Sequence, residues 1–421
     1  MYYGGRGRGR GGGRGRGRGG GASSYPNRRA SQSLQADDGG DTFVLEPKSK
    51  WARVGIRPAD VRVEEVGSYS MYGDLDHWES LEPRRDRSLM RMMSLDCTGQ
   101  QTTPVDFNLD KGYSAEALDG VLFKQQLPVM MKWAILNAED PKLVAVKEEV
   151  DIVSTCTLLA DLMQGLYEYS PENMVFGAAR VNGKVVVGSL IRPDIHGITQ
   201  GGNAARFGMG SQDHAKFWGR RFEVYMSADN GAGDAEGLND KVAAPRFRTV
   251  LHTKLRDLNL LLAAGVDAAN PFVDVPYPQK YVDFVTAGIQ NFGEGKENRL
   301  YGGHMLRWWS NNVLNGTGTL HAGVHDNGLV LRVKTFRIDE LPPIVQAKEA
   351  STRRQYWSAE VCLGFVHALL KFVLTKVVQP HDRVLYEFTC PKEVGAFTCR
   401  EVPPSTVGHD YLQGDVEDFL A

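Results

Sequence analysis

Three acidic residues, Glu223, Asp267 and Asp283, stand where local pattern can aim carboxylates at one point. Glu223 ends the segment Trp218-Gly219-Arg220-Arg221-Phe222-Glu223, inside a stretch from His214 to Ser227 that reads as a helix. Asp267 closes Leu262-Ala263-Ala264-Gly265-Val266-Asp267, and Asp283 sits within Lys280-Tyr281-Val282-Asp283-Phe284-Val285-Thr286. The last segment is rich in Tyr, Val and Phe and reads as a strand, the other as a weaker one. Residues two apart on a strand share a face, so Gly265 lies beside Asp267 and Asp283 beside Val285. Two adjacent strands would then present two carboxylates and the helix a third. Converging carboxylates suit magnesium, and in two-metal hydrolysis they also position the attacking water. A carboxylate in mid-strand requires a cation or a donor. Arg220, Arg221, Lys280 and Arg307 are the nearest cations by sequence, with Lys334 and Arg337 on a later strand. Because a guanidinium grips phosphate bidentately without metal, anion binding is the second chemistry these residues support.

The order Gly-x-x-Phe-Glu, then an acidic pair two apart, then a third acid two residues before a helper, resembles the metal-binding core of the DXO family of RNA 5′-end-processing enzymes. Tyr301–Gly316, centred on Leu306-Arg307-Trp308-Trp309, is similar to the family's helix after the core. Leu331–Phe336 and the Trp357–Leu370 helix are similar to its C-terminal part, so the resemblance runs from about Gly67 to the C-terminus. It implies an α/β fold with a mixed sheet around a restriction-endonuclease-like core, RNA 5′ ends as ligand, and Asn311 near the RNA path. Glu223 and Asp267 occupy metal-ligand positions of the motif. Its first acidic partner is replaced by Gly265, its third Glu by Asp283 and its Lys by Val285, while an upstream arginine aligns with Cys156. Gly265 offers no side-chain oxygen, Asp283 reaches less far, and Val285 neither orients water nor stabilises developing charge. The expectation is therefore a pocket that keeps its shape and loses its reaction, with magnesium bound weakly at Glu223, Asp267 and Asp283, or not at all. Among members with eroded motifs, the guide-RNA-associated subunits of the kinetoplastid mitochondrial editing complex look similar. That likeness implies a 5′-triphosphate ligand, a heterodimer with a related chain, and the mitochondrial matrix; without it the nucleus is expected. The alternatives are an active magnesium-dependent pyrophosphohydrolase and a scaffold with a vestigial pocket.

The elements that must position these residues are partly legible. Asn182-Gly183 and Asp326-Asn327-Gly328 mark two hairpins, joining Met174–Arg180 to Lys184–Ile191 and Thr319–Val324 to Leu329–Phe336. Ser358–Val378 carries the clearest helical stripe, Val361, Phe365, Leu369, Val373 and Val377. His367 beside it reads as a packed histidine, and Trp308-Trp309 as core aromatics. Pro128 and Pro141 divide Leu118–Val150 into short helices, and Ile152–Leu166 continues the helical pattern. A turn is expected around Gly67–Gly73, loops at 194–214 and 229–240, and strands at Arg383–Cys390 and Gly395–Val402.

Residues 1–42 form a Gly/Arg-rich tail expected to be disordered, followed by one domain over 43–421. Eight arginines precede the first acid, Asp37. Removing them from the 49 cations leaves 41 against 51 acids, about −10 over residues 31–421. Such a body does not attract RNA by general charge, so contact falls to the tail, a local basic pocket or a basic partner. Five cysteines without a C-x-x-C pair read as reduced packing thiols, and no apolar run is long enough to span a membrane.

Overall fold

A computed structural model describes residues 42–45, 48–74, 78–113, 126–167, 174–190, 212–229, 246–293, 295–391, 395–409 and 412. The tail, most of the 194–214 and 229–240 loops and the acidic C-terminus lie outside them. All described elements fall in the unit Asp41–Ala421.

The strands, in chain order, begin with β1 (Thr42–Val44), β2 (Val61–Tyr72), β3 (Glu82–Arg84), β4 (Arg91–Met93), β5 (Thr102–Asn108) and β6 (Ile152–Thr155). Then come β7 (Met174–Val181), β8 (Lys184–Gly188), β9 (Ser227–Asp229), β10 (Phe247–Leu255), β11 (Leu258–Gly265) and β12 (Ala268–Ala269). The last are β13 (Tyr281–Gly288), β14 (Thr319–Asp326), β15 (Leu329–Arg337), β16 (Leu385–Cys390) and β17 (Ala396–Val402). Among the described residues they make a ten-stranded sheet, β1-β17-β16-β7-β8-β6-β11-β10-β2-β3, and a seven-stranded one, β5-β15-β14-β13-β12-β4-β9. Both are mixed: β6 runs parallel to β11 and β8, and β13 parallel to β14, while the hairpins are antiparallel.

The helices are α1 (Lys48–Ala52), α2 (Gln126–Leu136), α3 (Pro141–Glu149), α4 (Cys156–Gly165), α5 (Gln212–Met226), α6 (Met305–Val313), α7 (Leu341–Thr352) and α8 (Ala359–Lys376). Ser358 caps α8 by accepting the Val361 amide at 3.4 Å. The Val361, Phe365, Leu369 and Val373 stripe is buried in the main core, which also takes in α4, Trp308 and Trp309. His367 accordingly pairs with Asp257 at 2.6 Å. A π-helical turn, Asn298–His304, feeds α6. All five cysteines are free thiols and four are buried.

Three expectations are corrected. No turn forms at Gly67: β2 runs straight through it, because a Cβ there would stand 2.4 Å from the Trp133 ring and only glycine admits that contact. Ile152–Thr155 is a buried strand, with the helix starting at Cys156; a four-residue apolar run fits either period. Gly265 ends β11 in the first sheet, whereas β13 belongs to the second, so the two acid-bearing strands are not neighbours. The chain crosses between sheets at Val266 and Asp267, and that crossing builds the site.

Candidate functional site: a cleft where the sheets meet

β12 pairs antiparallel with β13 through Ala268 and Val282, a register that brings Asp267, one residue earlier, opposite Asp283. The Phe284 amide donates to Asp267 Oδ2 at 2.9 Å, and the two carboxyls share a hydrogen bond. Asn312 Nδ2, from α6, donates to Asp283 Oδ2 at 2.7 Å and to the Trp308 carbonyl at 2.8 Å. From α5, Arg220 Nη1 donates to both oxygens of Glu223 at 2.8 Å. Arg220, Arg248, Gly265, Asp267, Asp283 and Asn311 line one cleft of about 220 Å³, with Glu223 behind Arg220. The remaining wall is mostly amides and hydroxyls, among them Gln126, Thr157, Asn315 and Thr317.

Burial shapes the electrostatics. Asp267 is pushed up to about 8, first by burial, then by the charge of Asp283 and the hydrogen bond to it. Asp283 is raised too, by burial, against the donated bonds from Asp267 and Asn312. The shared proton therefore rests on Asp267, as in any pair of carboxyls held too close to ionise together. Glu223 rises to about 7 through burial, which outweighs the Arg220 guanidinium. Burial lowers Arg248 to about 10, leaving it cationic at neutral pH.

These residues do not fit the divalent metal that the motif order suggests. Magnesium needs several ionised oxygens aimed at one centre. Here both Glu223 oxygens are taken by Arg220, Asp267 and Asp283 hold a proton between them, and position 265 supplies no carboxylate. Among the described residues no group of three or more His, Cys, Asp or Glu side chains is arranged to hold a metal ion. Val285 packs against the main core.

The other candidates divide. Asn311 reaches the cleft wall, where Gln164 Nε2 of α4 donates to its Oδ1 at 3.2 Å. Arg307 lies one turn earlier on α6, half-buried. Lys334 lies 4.7 Å from the Phe292 ring centroid, lowered by burial and the neighbouring charge of Arg332. Arg221, Lys280 and Arg337 are not brought to the cleft. Arg221 is buried on the other side of α5 over the Phe217 ring, and Arg337 points outward to Asp339 and Glu340. Lys280 precedes β13, its carbonyl accepting the Asn270 amide. Sequence reasoning missed Arg248, Asn312 and Asn315; the one signal for Arg248 is a charge inside the apolar run Phe247–Leu255.

Mouse and human decapping and exoribonuclease proteins are 28% and 27% identical to this chain over 175 residues, 41% of the chain and 43% of each relative. The match thus spans less than half the length of these curated relatives. Among solved structures, Candida albicans Rai1 in complex with pU5 and Mn2+ superposes with a TM-score of 0.66 at 14% identity, over 86% of this chain and 95% of that one. Scheffersomyces stipitis Rai1 with (3′-NADP)+ and calcium gives 0.61 at 16%, over 81% and 89%. No described helix is long and apolar enough to cross a membrane. The profile of the RAI1 like PD-(D/E)XK nuclease family matches residues 62–419, the whole two-sheet body with the cleft inside it, and the chain belongs to that family.

Proposed function

We propose that this chain binds the phosphorylated 5′ end of an RNA, a 5′-triphosphate, and holds it without cutting. The observation that carries the reading is the neutralisation of all three remnant acids by the protein itself: Glu223 by Arg220, and Asp267 and Asp283 by one proton and Asn312. Carboxylates engaged in this way neither gather metal nor repel a phosphate strongly. The cleft, about 220 Å³, is smaller than the ~300–1,000 Å³ of sites that enclose a drug-sized ligand. It suits terminal phosphates, with the nucleotides lying outside along the half-buried Arg307. RNA as ligand draws support from the family and from relatives named for decapping and exonuclease activity. The arginines of residues 1–42 add charge and stacking for the RNA body. In this reading the chain presents RNA within a processing complex beside a related subunit, in the mitochondrial matrix.

Family membership by itself favours an active magnesium-dependent 5′ pyrophosphohydrolase, and two assays separate the readings. Purified protein is incubated with 5′-triphosphorylated RNA and magnesium or manganese; no pyrophosphate is expected, and release that disappears in Asp267→Asn would sink the binding-only reading. Affinity for a 5′-triphosphate RNA should exceed that for its 5′-hydroxyl counterpart. Equal affinities would leave the cleft vestigial and the chain a scaffold.

A further inference from the structure

The glycine at position 265 does more than delete a ligand. In the antiparallel register of β10 and β11, Gly265 pairs with Arg248, and on the other side Arg248 pairs with Tyr69 of β2. The three residues therefore stand abreast on one face of the first sheet. A Cβ built on Gly265 would lie 3.7 Å from Arg248 Nη1 and 3.8 Å from its Cζ. The guanidinium thus borders the space that a longer side chain at 265 would enter, and an acidic one there would close an ion pair onto it. Arg248 is 6% exposed yet lines the cleft, with Nη1 donating to the Phe247 carbonyl at 2.9 Å. The charged groups that face it are Arg220, Asp267 and Glu223, with the Tyr69 phenol alongside. That phenol is fully buried and its hydroxyl has no hydrogen-bond partner among the described residues.

We propose that Arg248 is the anion receptor of the cleft, that Gly265 keeps its guanidinium open to a phosphate, and that the phosphate is held without a divalent metal. The proposal rests on the phosphate-binding reading above and assigns the residue responsible. A guanidinium in a dry, preformed site grips a phosphate through charge-assisted, bidentate bonds. The surrounding amides supply neutral donors, and Arg220 remains occupied with Glu223. An acidic residue at 265 would compete for Arg248 from within the protein, which couples the two positions and makes the idea testable at a site other than the arginine.

The probe is inorganic tripolyphosphate, titrated calorimetrically into the full chain in EDTA. Wild type should bind. Gly265→Asp should weaken binding on the order of 10- to 100-fold, the range for losing a charged hydrogen-bonding partner, with an undiminished melting temperature because the new carboxylate meets Arg248. Gly265→Asn, of equal size and uncharged, should cost far less. Arg248→Gln should behave as Gly265→Asp does; if it fails to fold, the position-265 pair still decides. Loss of wild-type binding in EDTA, or equal effects of Asp and Asn at 265, would overturn the proposal. Should triphosphate and hydroxyl RNAs bind equally while tripolyphosphate still needs Arg248, the anion site stands and the RNA-end reading falls. Should triphosphate RNA be preferred and Gly265→Asp leave that preference intact, the reverse holds.

Discussion

The proton shared by Asp267 and Asp283 makes a quantitative prediction for Asp267→Asn. An asparagine there presents an oxygen to the Phe284 amide and an N–H to Asp283, reproducing the protonated acid atom for atom. The wild-type residue differs in one respect: it ionises when the chain unfolds. Its ordinary value of 3.8 is raised to about 8 in the folded protein, so between those limits the folded state holds a proton that the unfolded state releases. The linked stability is present in full below pH 3.8 and is lost as pH rises toward 8. At about 1.4 kcal/mol per pH unit, the wild type has given up about 4 kcal/mol by pH 7, a loss the asparagine variant does not suffer. Urea denaturation of both proteins from pH 4 to pH 8.5 should show nearly equal stability at the acid end. Asp267→Asn should then pull ahead steadily and level off near pH 8. A pH-independent gap, or a variant less stable than wild type at pH 7, would mean that Asp267 is an ordinary ionised carboxylate and that the shared proton is wrong.

Three further outcomes are expected. Asn312→Leu removes the donor to a buried Asp283 and should cost about 1.5–3 kcal/mol in urea denaturation, the worth of a hydrogen bond to a charged group. Gly67→Ala drives a methyl into the Trp133 ring and should cost about 1–3 kcal/mol, with a change in tryptophan fluorescence that reports the displaced indole. Arg337→Gln, whose surface pairs with Asp339 and Glu340 are exposed on both sides, should change stability by less than about 1 kcal/mol and leave tripolyphosphate affinity as it is.

What the sequence revealed was local, and what it concealed was set by register. The Asn182-Gly183 and Asn327-Gly328 turns adopt the positive φ angles that define their hairpins, and the stripe of α8 needed only helical periodicity. Glu223, Asp267 and Asp283 were found because motif order survives the loss of individual ligands. Arg248 was invisible for the opposite reason: 17 residues separate it from Gly265 in sequence, and only antiparallel pairing of β10 with β11 sets the two side by side. Gly67 misled because glycine marks turns far more often than it marks a ring packed onto a strand. Arg337 misled because strand membership says nothing about which end of the strand reaches the cleft.

The substitutions at the site are coherent as a set when charge is followed around the cleft. With the proton on Asp267, the ionised acids are Asp283 and Glu223, and Arg220 and Arg248 are two fixed cations beside them. A glutamate at 265 would tip that arrangement toward negative, draw Arg248 into an internal pair, and make a divalent ion the natural remedy. Glycine there leaves the guanidinium facing the cleft with no metal required. Valine at 285 then removes a lysine that would have little to do, since a site that gathers no metal-bound water has no developing charge for a helper cation to stabilise. Loss of chemistry and gain of a metal-free anion site are thus one electrostatic change. Restoring the acid at 265 alone should abolish phosphate binding without returning hydrolysis, because Arg220 would still occupy both oxygens of Glu223.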